Sequence, residues 1–374
     1  MQRQELDMQA DRIEMVLHNY KAPARVTGGN VTPRWIQFLL QPAPGIKVNK
    51  VEALSREIAI ALGAPTARVT TQGGAVKVEV PRHDPQPVKL LPLFARLPQN
   101  RIPFGTAVLG LADDGAPLLV RLPSPDVAHI LVAGTTGSGK TALVQTMIAS
   151  LALMHHRRQL QIVLIDPKGH TFEPMADLPH LLRPIVTQPD QAVEALAEMV
   201  RLMEVRDLNR ITDPHIVVVV DELADLVQSG GPAIMEHLGR LVQRGREAGI
   251  HIIGATQKPS STVLGSIVKA NFPVRLVGRV TSAEDARVAA GIGGSGAERL
   301  TGRGDFIAVT GPGTIRFQAA YISSADMSNI TRQLRDGVAG SDIIQANRPI
   351  PIVRDERRSV LDNAIRALPR ANRA

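Results

Sequence analysis

From residue 129 onward the chain alternates between short, wholly apolar runs and longer amphipathic ones. "HILVA", "QIVLID", "HIVVVVD", "HIIGATQ", "VRLVGRV" and "GDFIAVT" read as strands, because continuous aliphatic runs of this length suit strands covered on both faces. Between them "AIMEHLGRLVQRGREAG" carries Ile234, Leu238 and Leu241 on one face and Arg240 and Arg244 on the other, the helical period. This alternation predicts an α/β domain built on a mostly parallel sheet.

The pattern before residue 110 is different. "MQRQELDMQADRIEMVLHNY" is charged throughout and predicts a surface helix over residues 1–24. In the following unit "WIQFLL" and "VKVEV" read as strands, and "KVEALSREIAIALG" places Val51, Leu54, Ile58 and Leu62 at helical spacing. Residues 25–110 are therefore expected to form a small α+β domain, with prolines 81, 85, 87, 92 and 98 marking a long connection and a hairpin turning at Asp113-Asp114-Gly115. The α/β domain is expected over residues 111–340 and a basic helical tail over residues 341–374.

Composition narrows the classes. No apolar run reaches the roughly 18 residues that a membrane-spanning helix needs, so no membrane segment and a cytoplasmic location are expected. There are no cysteines, which excludes disulfides and thiolate metal sites and fits a reducing cytosol. The ten histidines have no metal-ligand spacing; His155 and His156 are adjacent. The net charge of +8 favours a polyanionic partner. Aromatic residues make up only 3%, too few for base stacking along a single strand, so a duplex held by its phosphates is the better fit.

The candidate chemistry begins at "GTTGSGKT", which follows one apolar strand and opens a helix. In a phosphate-binding loop of this kind Gly134, Thr135, Thr136, Gly137, Ser138 and Gly139 wrap the phosphates with backbone N–H groups. Lys140 neutralises their oxygens, and the Thr141 hydroxyl ligates Mg²⁺. The complementary acid is expected at the end of another buried strand, and "HIVVVVDE" supplies Asp221 for the metal and Glu222 for the attacking water. Thr256 and Gln257, at the end of "HIIGATQ", are placed to sense a terminal phosphate. "GIGGSG" at 291–296 fits a dinucleotide fingerprint, but it follows a helical stretch and is read as a loop. Up to here the residues indicate a Mg-ATPase with a basic surface.

The ordered set "HILVAGTTGSGKT", "LIDPKG", "LPHLL", "VVVVDELADL", "RLVQRGREAGIHIIGATQKPS", "IVKANFPVRL" and "LTGRGDFI", over residues 125–322, resembles the FtsK/SpoIIIE family of DNA translocases. "APGIKVNKVEALSREIAIALG" is similar to that family's α domain. The resemblance implies a RecA-like P-loop NTPase core that assembles as a ring, usually a homo-hexamer, and uses ATP and Mg²⁺ to move along chromosomal or mobile-element double-stranded DNA without regard to sequence. It also implies that Arg246 is an arginine finger, with Arg244 the competing candidate. Thr256, Lys258, Lys269 and Arg287 are implied to contact DNA phosphates in the channel. Ala283 stands where the family often has a basic residue, so a lighter grip on DNA is expected. Two alternatives stay open: a substrate-pumping ATPase of the secretion-system type, and an ATP-switched DNA clamp without processive motion.

Overall fold

The computed structural model describes residues 3–72, 75–257, 271–311, 313–347 and 366–367. They form two compact units, Met1–Pro87 and Val88–Ala374.

The first unit runs α1 (Arg3–Asn19), β1 (Ala24–Val31), β2 (Trp35–Pro42), α2 (Val48–Glu52), α3 (Ser55–Ala61), β3 (Arg68–Gln72) and β4 (Ala75–Pro81). The strands make an antiparallel sheet in the order β1-β2-β4-β3. The charged first helix is not a separate surface element: Ile13 and Leu17 are fully buried in one core with Ile36, Phe38 and Val78. One apolar stripe among many charges is enough to dock a helix on a sheet. The helix expected across Lys50–Gly63 is interrupted, because Ser55 donates its hydroxyl to the Glu52 carbonyl at 2.6 Å and so competes with the helical ladder. The period itself is correct, since Val51, Leu54, Ile58 and Leu62 all face the core.

The second unit begins well before residue 110. β5 (Val88–Lys89) and α4 (Leu90–Phe94) open it, and Leu90, Leu91, Leu93 and Phe94 are buried in its core. Pro92 therefore lies inside a packed helix rather than in a connection. Next come the hairpin β6 (Thr106–Ala112) and β7 (Pro117–Arg121), then β8 (Ile130–Ala133), α5 (Lys140–Met154), β9 (Leu160–Ile165), α6 (Pro189–Asn209) and β10 (His215–Val220). They are followed by α7 (Leu223–Arg244), β11 (Ile250–Thr256), β12 (Val274–Val277), α8 (Ala283–Ala290), β13 (Asp305–Thr310), β14 (Gly313–Tyr321), α9 (Ser324–Arg335) and α10 (Gly340–Ala346).

The sheet has two characters. Strands β12, β8, β11, β10 and β9 are parallel neighbours in that order. From β12 outward it becomes antiparallel through β13, β14, β6 and β7. The expected parallel sheet is thus an α/β core with an antiparallel wing, which the short hairpins at β6–β7 and β13–β14 permit.

In the parallel half successive residues go to opposite layers. Ile130, Val132, Val217, Val219, Ile253 and Ala255 face α5, whereas Leu131, Ile216, Val218, Val220, Ile250 and Ile252 face α6 and α7. Burial on both faces is why these strands read as unbroken apolar runs. Helix α7 is broken at Gly231-Pro232, where Gly231 leaves helical geometry. "GIGGSG" lies after α8 with Gly291 capping that helix, as expected of a loop. In the expected tail, Ile343 and Ile344 of α10 are buried in the core, and Arg366–Ala367 (β15) pair with β7. The rest of the tail beyond Asn347 lies outside the described residues. Among the described residues no helix is long and apolar enough to cross a membrane.

Candidate nucleotide site at the strand ends

Parallel strands end on one edge of the sheet, and there the carboxyl ends of β8, β9, β10 and β11 gather a polar cluster. After β8 the chain turns through Gly134–Gly139 into α5. Gly139 precedes the helix with φ +99, and a Cβ there would lie 2.6 Å from the backbone nitrogen of Gly304. The loop is clipped to the antiparallel half by backbone bonds: Thr135 N–H to the Arg279 carbonyl at 2.9 Å, Arg303 N–H to the Gly137 carbonyl at 2.9 Å and Gly304 N–H to the Ser138 carbonyl at 2.7 Å. The Ser138 hydroxyl is buried without a hydrogen-bond partner, and Thr141 is exposed in the first turn of α5.

Lys140 is buried, with its ammonium 2.9 Å from Asp221 Oδ1 and 3.6 Å from Glu222 Oε2. Asp221 accepts a second bond on Oδ2 from the Thr171 hydroxyl at 2.7 Å. Glu222 is only 2% exposed, and its φ of 59 is unusual for a side-chain-bearing residue. Such strain persists only when the surroundings fix it, and here they do. The Thr256 hydroxyl donates to Oε1 at 2.9 Å, and the Gln257 N–H donates at 3.0 Å to Oε1 and 3.2 Å to Oε2. The Gln257 side chain in turn accepts from the Thr136 hydroxyl at 2.9 Å, so the glutamate, the sensor position and the phosphate loop form one connected network.

Asp166, Lys168 and Thr171 also contribute, and none carries a sequence expectation beyond the place of the first two in "LIDPKG". Asp166 is fully buried at the end of β9 and accepts the N–H groups of Lys168 at 3.2 Å and Thr171 at 2.7 Å. That fold of the loop brings Lys168 to 3.7 Å from Glu222 and 3.5 Å from Asp225. The available signal was an acid ending an apolar strand, the same signal that located Asp221.

The sequence profile of the FtsK/SpoIIIE family matches residues 99–213 and 207–261, and that of the FtsK alpha domain matches residues 1–82. A protein named DNA translocase FtsK from Staphylococcus aureus (strain Mu50 / ATCC 700699) is 32% identical over 386 residues, 95% of this chain and 48% of its own length. The chain belongs to the FtsK/SpoIIIE family. DNA translocase FtsK of Mycobacterium tuberculosis (strain CDC 1551 / Oshkosh) is also 32% identical, over 87% of this chain and 43% of its own length. The chain thus spans about half the length of these relatives. Among solved structures, the pCW3 conjugation coupling protein TcpA with ATPγS superposes with a TM-score of 0.59 at 18% identity, covering 88% of this chain and 99% of that one. The cytoplasmic domain of the Thermomonospora curvata type VII secretion ATPase EccC gives 0.58 at 25% identity, covering 66% and 34%. Both share the P-loop ATPase fold of this chain.

The residues carried over from the FtsK/SpoIIIE resemblance fall in different places. Arg246 sits in the turn between α7 and β11, at the amino edge of the sheet, with its side chain 38% exposed. One strand length separates it from the loop, roughly 20 Å at about 3.3 Å per residue. Arg244 is engaged by Asp207 at 2.7 Å. Thr256 does not reach a surface: it is fully buried and its hydroxyl holds Glu222, because a side chain at the last position of a central strand points into the site. Arg287 is exposed on α8 and bridges to Glu284 at 2.6 Å. Lys258 and Lys269 lie outside the described residues.

A second set of residues, unforeseen from sequence, lines the amino edge. His129 precedes β8, His215 begins β10 and His251 is second in β11. The rings of His215 and His251 stack with centroids 5.3 Å apart. His251 Nδ1 faces the Ala128 carbonyl at 3.0 Å and must donate, which leaves its Nε2 to accept from His215 Nδ1 at 3.0 Å. His129 Nδ1 accepts the Ile252 N–H at 3.0 Å. Burial pushes His129 down to about 3, with the charges of His251 and Arg246 adding to the effect. Burial likewise pushes His251 to about 4 against the opposing pull of the Ala128 bond, and His155 to about 4. In the sequence each of these histidines stands before an isoleucine at the head of an apolar run, which does not reveal that the runs become neighbours.

Proposed function

We propose that this chain is the motor portion of an ATP-driven double-stranded DNA translocase, a ring of six copies that moves along DNA irrespective of sequence. The observation that carries the reading is the buried Lys140, Asp221 and Glu222 group at the mouth of the glycine loop. Family membership and the names of its relatives support DNA as the substrate.

The residues fit ATP and Mg²⁺. Ser138 offers an unpartnered buried hydroxyl, and among the described residues Asp221, Glu222 and Asp225 form ion pairs only with Lys140 and Lys168. That excess of oxygen-bearing acid suits a hard divalent cation. Thr141 and Asp221 would hold the metal, which when bound offsets charge on the transferred phosphoryl group. Lys140 neutralises phosphate oxygens, Glu222 orients and deprotonates the attacking water, and Gln257 reads the terminal phosphate through its link to Thr136.

Arg246 lies too far from its own loop to serve it. Its place on the opposite sheet edge supports action as a finger in a neighbouring subunit's site, where an arginine stabilises charge in the transition state. Lys258, Lys269 and Arg287 are the proposed phosphate contacts, and such contacts carry no base information. Thr256 is withdrawn from that role. The similarity to the secretion ATPase EccC favours a second reading, a substrate-pumping ATPase of the secretion-system type, but the match to the FtsK alpha domain supports the DNA motor.

Displacement of a triplex-forming strand from duplex DNA tests the proposal. ATP-dependent displacement that stops on adding EDTA is expected. ATPase activity that duplex DNA does not stimulate would favour the secretion reading, and stimulation without displacement would favour a clamp.

A further inference from the structure

The phosphate loop is gripped on both flanks, and the two flanks differ chemically. On the β11 flank Thr136 is bound by Gln257, next to Glu222 and Lys140. On the β12 flank stands Arg279, whose carbonyl accepts both the N–H and the hydroxyl of Thr135 at 2.9 and 3.0 Å. Its guanidinium lies over the turn that holds the loop. A Cβ placed on Gly302 would be 3.7 Å from Arg279 Cζ and Nε and 3.1 Å from the Gly137 carbonyl, so the cation and the loop backbone border the same gap. Arg279 is exposed, and among the described residues no carboxylate pairs with it.

We infer that Arg279 is a further nucleotide-binding residue, one that contacts the α- and β-phosphates of the bound nucleotide from the β12 side of the loop. This rests on the proposed ATPase function. The loop encircles a polyphosphate whose terminal group points toward Glu222 and Gln257 on the β11 flank. The opposite flank therefore meets the phosphates nearer the nucleoside. A planar guanidinium is suited to them, because it presents forked donors that match phosphate oxygens and is weakly hydrated. An exposed arginine at a loop rim could instead be a solvated charge, which adds only long-range attraction.

Calorimetric titration of the full chain with ATPγS and with ADP, each with Mg²⁺, distinguishes these cases. Arg279→Ala is expected to weaken both ligands by roughly tenfold, the scale of one charge-assisted bond. Arg279→Lys is expected to recover only part of that loss, since a point charge lacks the fork. Arg332→Ala, which removes an exposed arginine bonded to Asn329 on α9, controls for net charge and is expected to leave both affinities unchanged. Equal affinities in Arg279→Ala and wild type would overturn the inference, as would a loss for ATPγS without one for ADP, which would put the arginine on the terminal phosphate. An equal loss in Arg332→Ala would reduce the effect to general attraction and also overturn it. A wild-type chain that binds neither ligand would bring down the ATPase proposal itself.

Discussion

The two edges of one parallel sheet solve opposite electrostatic problems with the same strands. At the carboxyl edge of β8, β10 and β11 the chain concentrates charge, with Asp221, Glu222 and Lys140 all buried within one network. At the amino edge it suppresses charge, holding His129 and His251 neutral by burial and by acceptor nitrogens that take the Ile252 N–H and the His215 Nδ1–H. Buried charge is costly unless it is paired and has work to do. The carboxyl edge therefore reads as the chemical end, and the amino edge as a bed of neutral rings beside which Arg246 is displayed.

The sharpest test of this division is Lys140→Ala. It removes the sole cation within 3 Å of Asp221 among the described residues. Nucleotide binding or turnover is expected to vanish in a filter-binding and phosphate-release assay. Glu222→Gln is expected to retain ATP while turnover falls by at least about 100-fold, because it keeps the shape and loses the base. Wild-type turnover in Glu222→Gln would dissolve the chemical end as described.

Next in size is Arg246→Ala. Turnover is expected to fall by about 10³, the scale of a finger, with ATP binding and assembly kept. Mixing with Lys140→Ala subunits is expected to restore part of the rate, since some interfaces then join an intact pocket to an intact arginine. Failure to recover at any ratio would confine the arginine to its own subunit and erase the functional contrast between the edges.

The neutral edge makes a smaller prediction, in stability. Histidines whose folded pKa is depressed below the ordinary 6.5 contribute fully above that value. Their contribution is lost as pH falls toward about 4 for His155 and His251 and about 3 for His129, because the unfolded chain takes up the protons first. Tm is expected to drop between pH 6.5 and 5, above the carboxylate range, by an amount worth on the order of 3 kcal/mol over the three rings. A flat thermal profile across that window would mean the rings take up protons in the fold as readily as in the unfolded chain. The smallest effect belongs to Arg244→Ala, whose exposed pair with Asp207 is worth under about 1 kcal/mol. A large loss of turnover there would move the finger from Arg246 to Arg244.

The carboxyl edge was legible in the sequence, and the amino edge was not. Glycine spacing, Lys140 and acids ending apolar strands encode the nucleotide site locally, so Asp221, Glu222 and Gln257 fall where the pattern predicts. Pairing of His215 with His251 depends on two strands 36 residues apart becoming neighbours in register, which no local pattern encodes. The domain boundary failed for a related reason: prolines suggest a connection, but Leu90, Leu91 and Phe94 are captured by a core assembled from residues far downstream. Thr256 was misplaced because a resemblance carries residue roles but not side-chain direction.

The clip between Gly139 and Gly304 has a bearing on how this chain can change over time. A Cβ at Gly139 would lie 2.6 Å from the Gly304 nitrogen and 2.9 Å from its Cα, and a Cβ at Gly304 would come 2.6 Å from Gln318 Nε2. Gly139 is held by the backbone it would strike, whereas Gly304 is held by its φ of +89, since the Gln318 side chain could swing aside. Gly304 lies far outside the phosphate-loop motif, yet it inherits the same intolerance, so selection for nucleotide binding reaches across 165 positions of sequence, from 139 to 304, into the antiparallel wing.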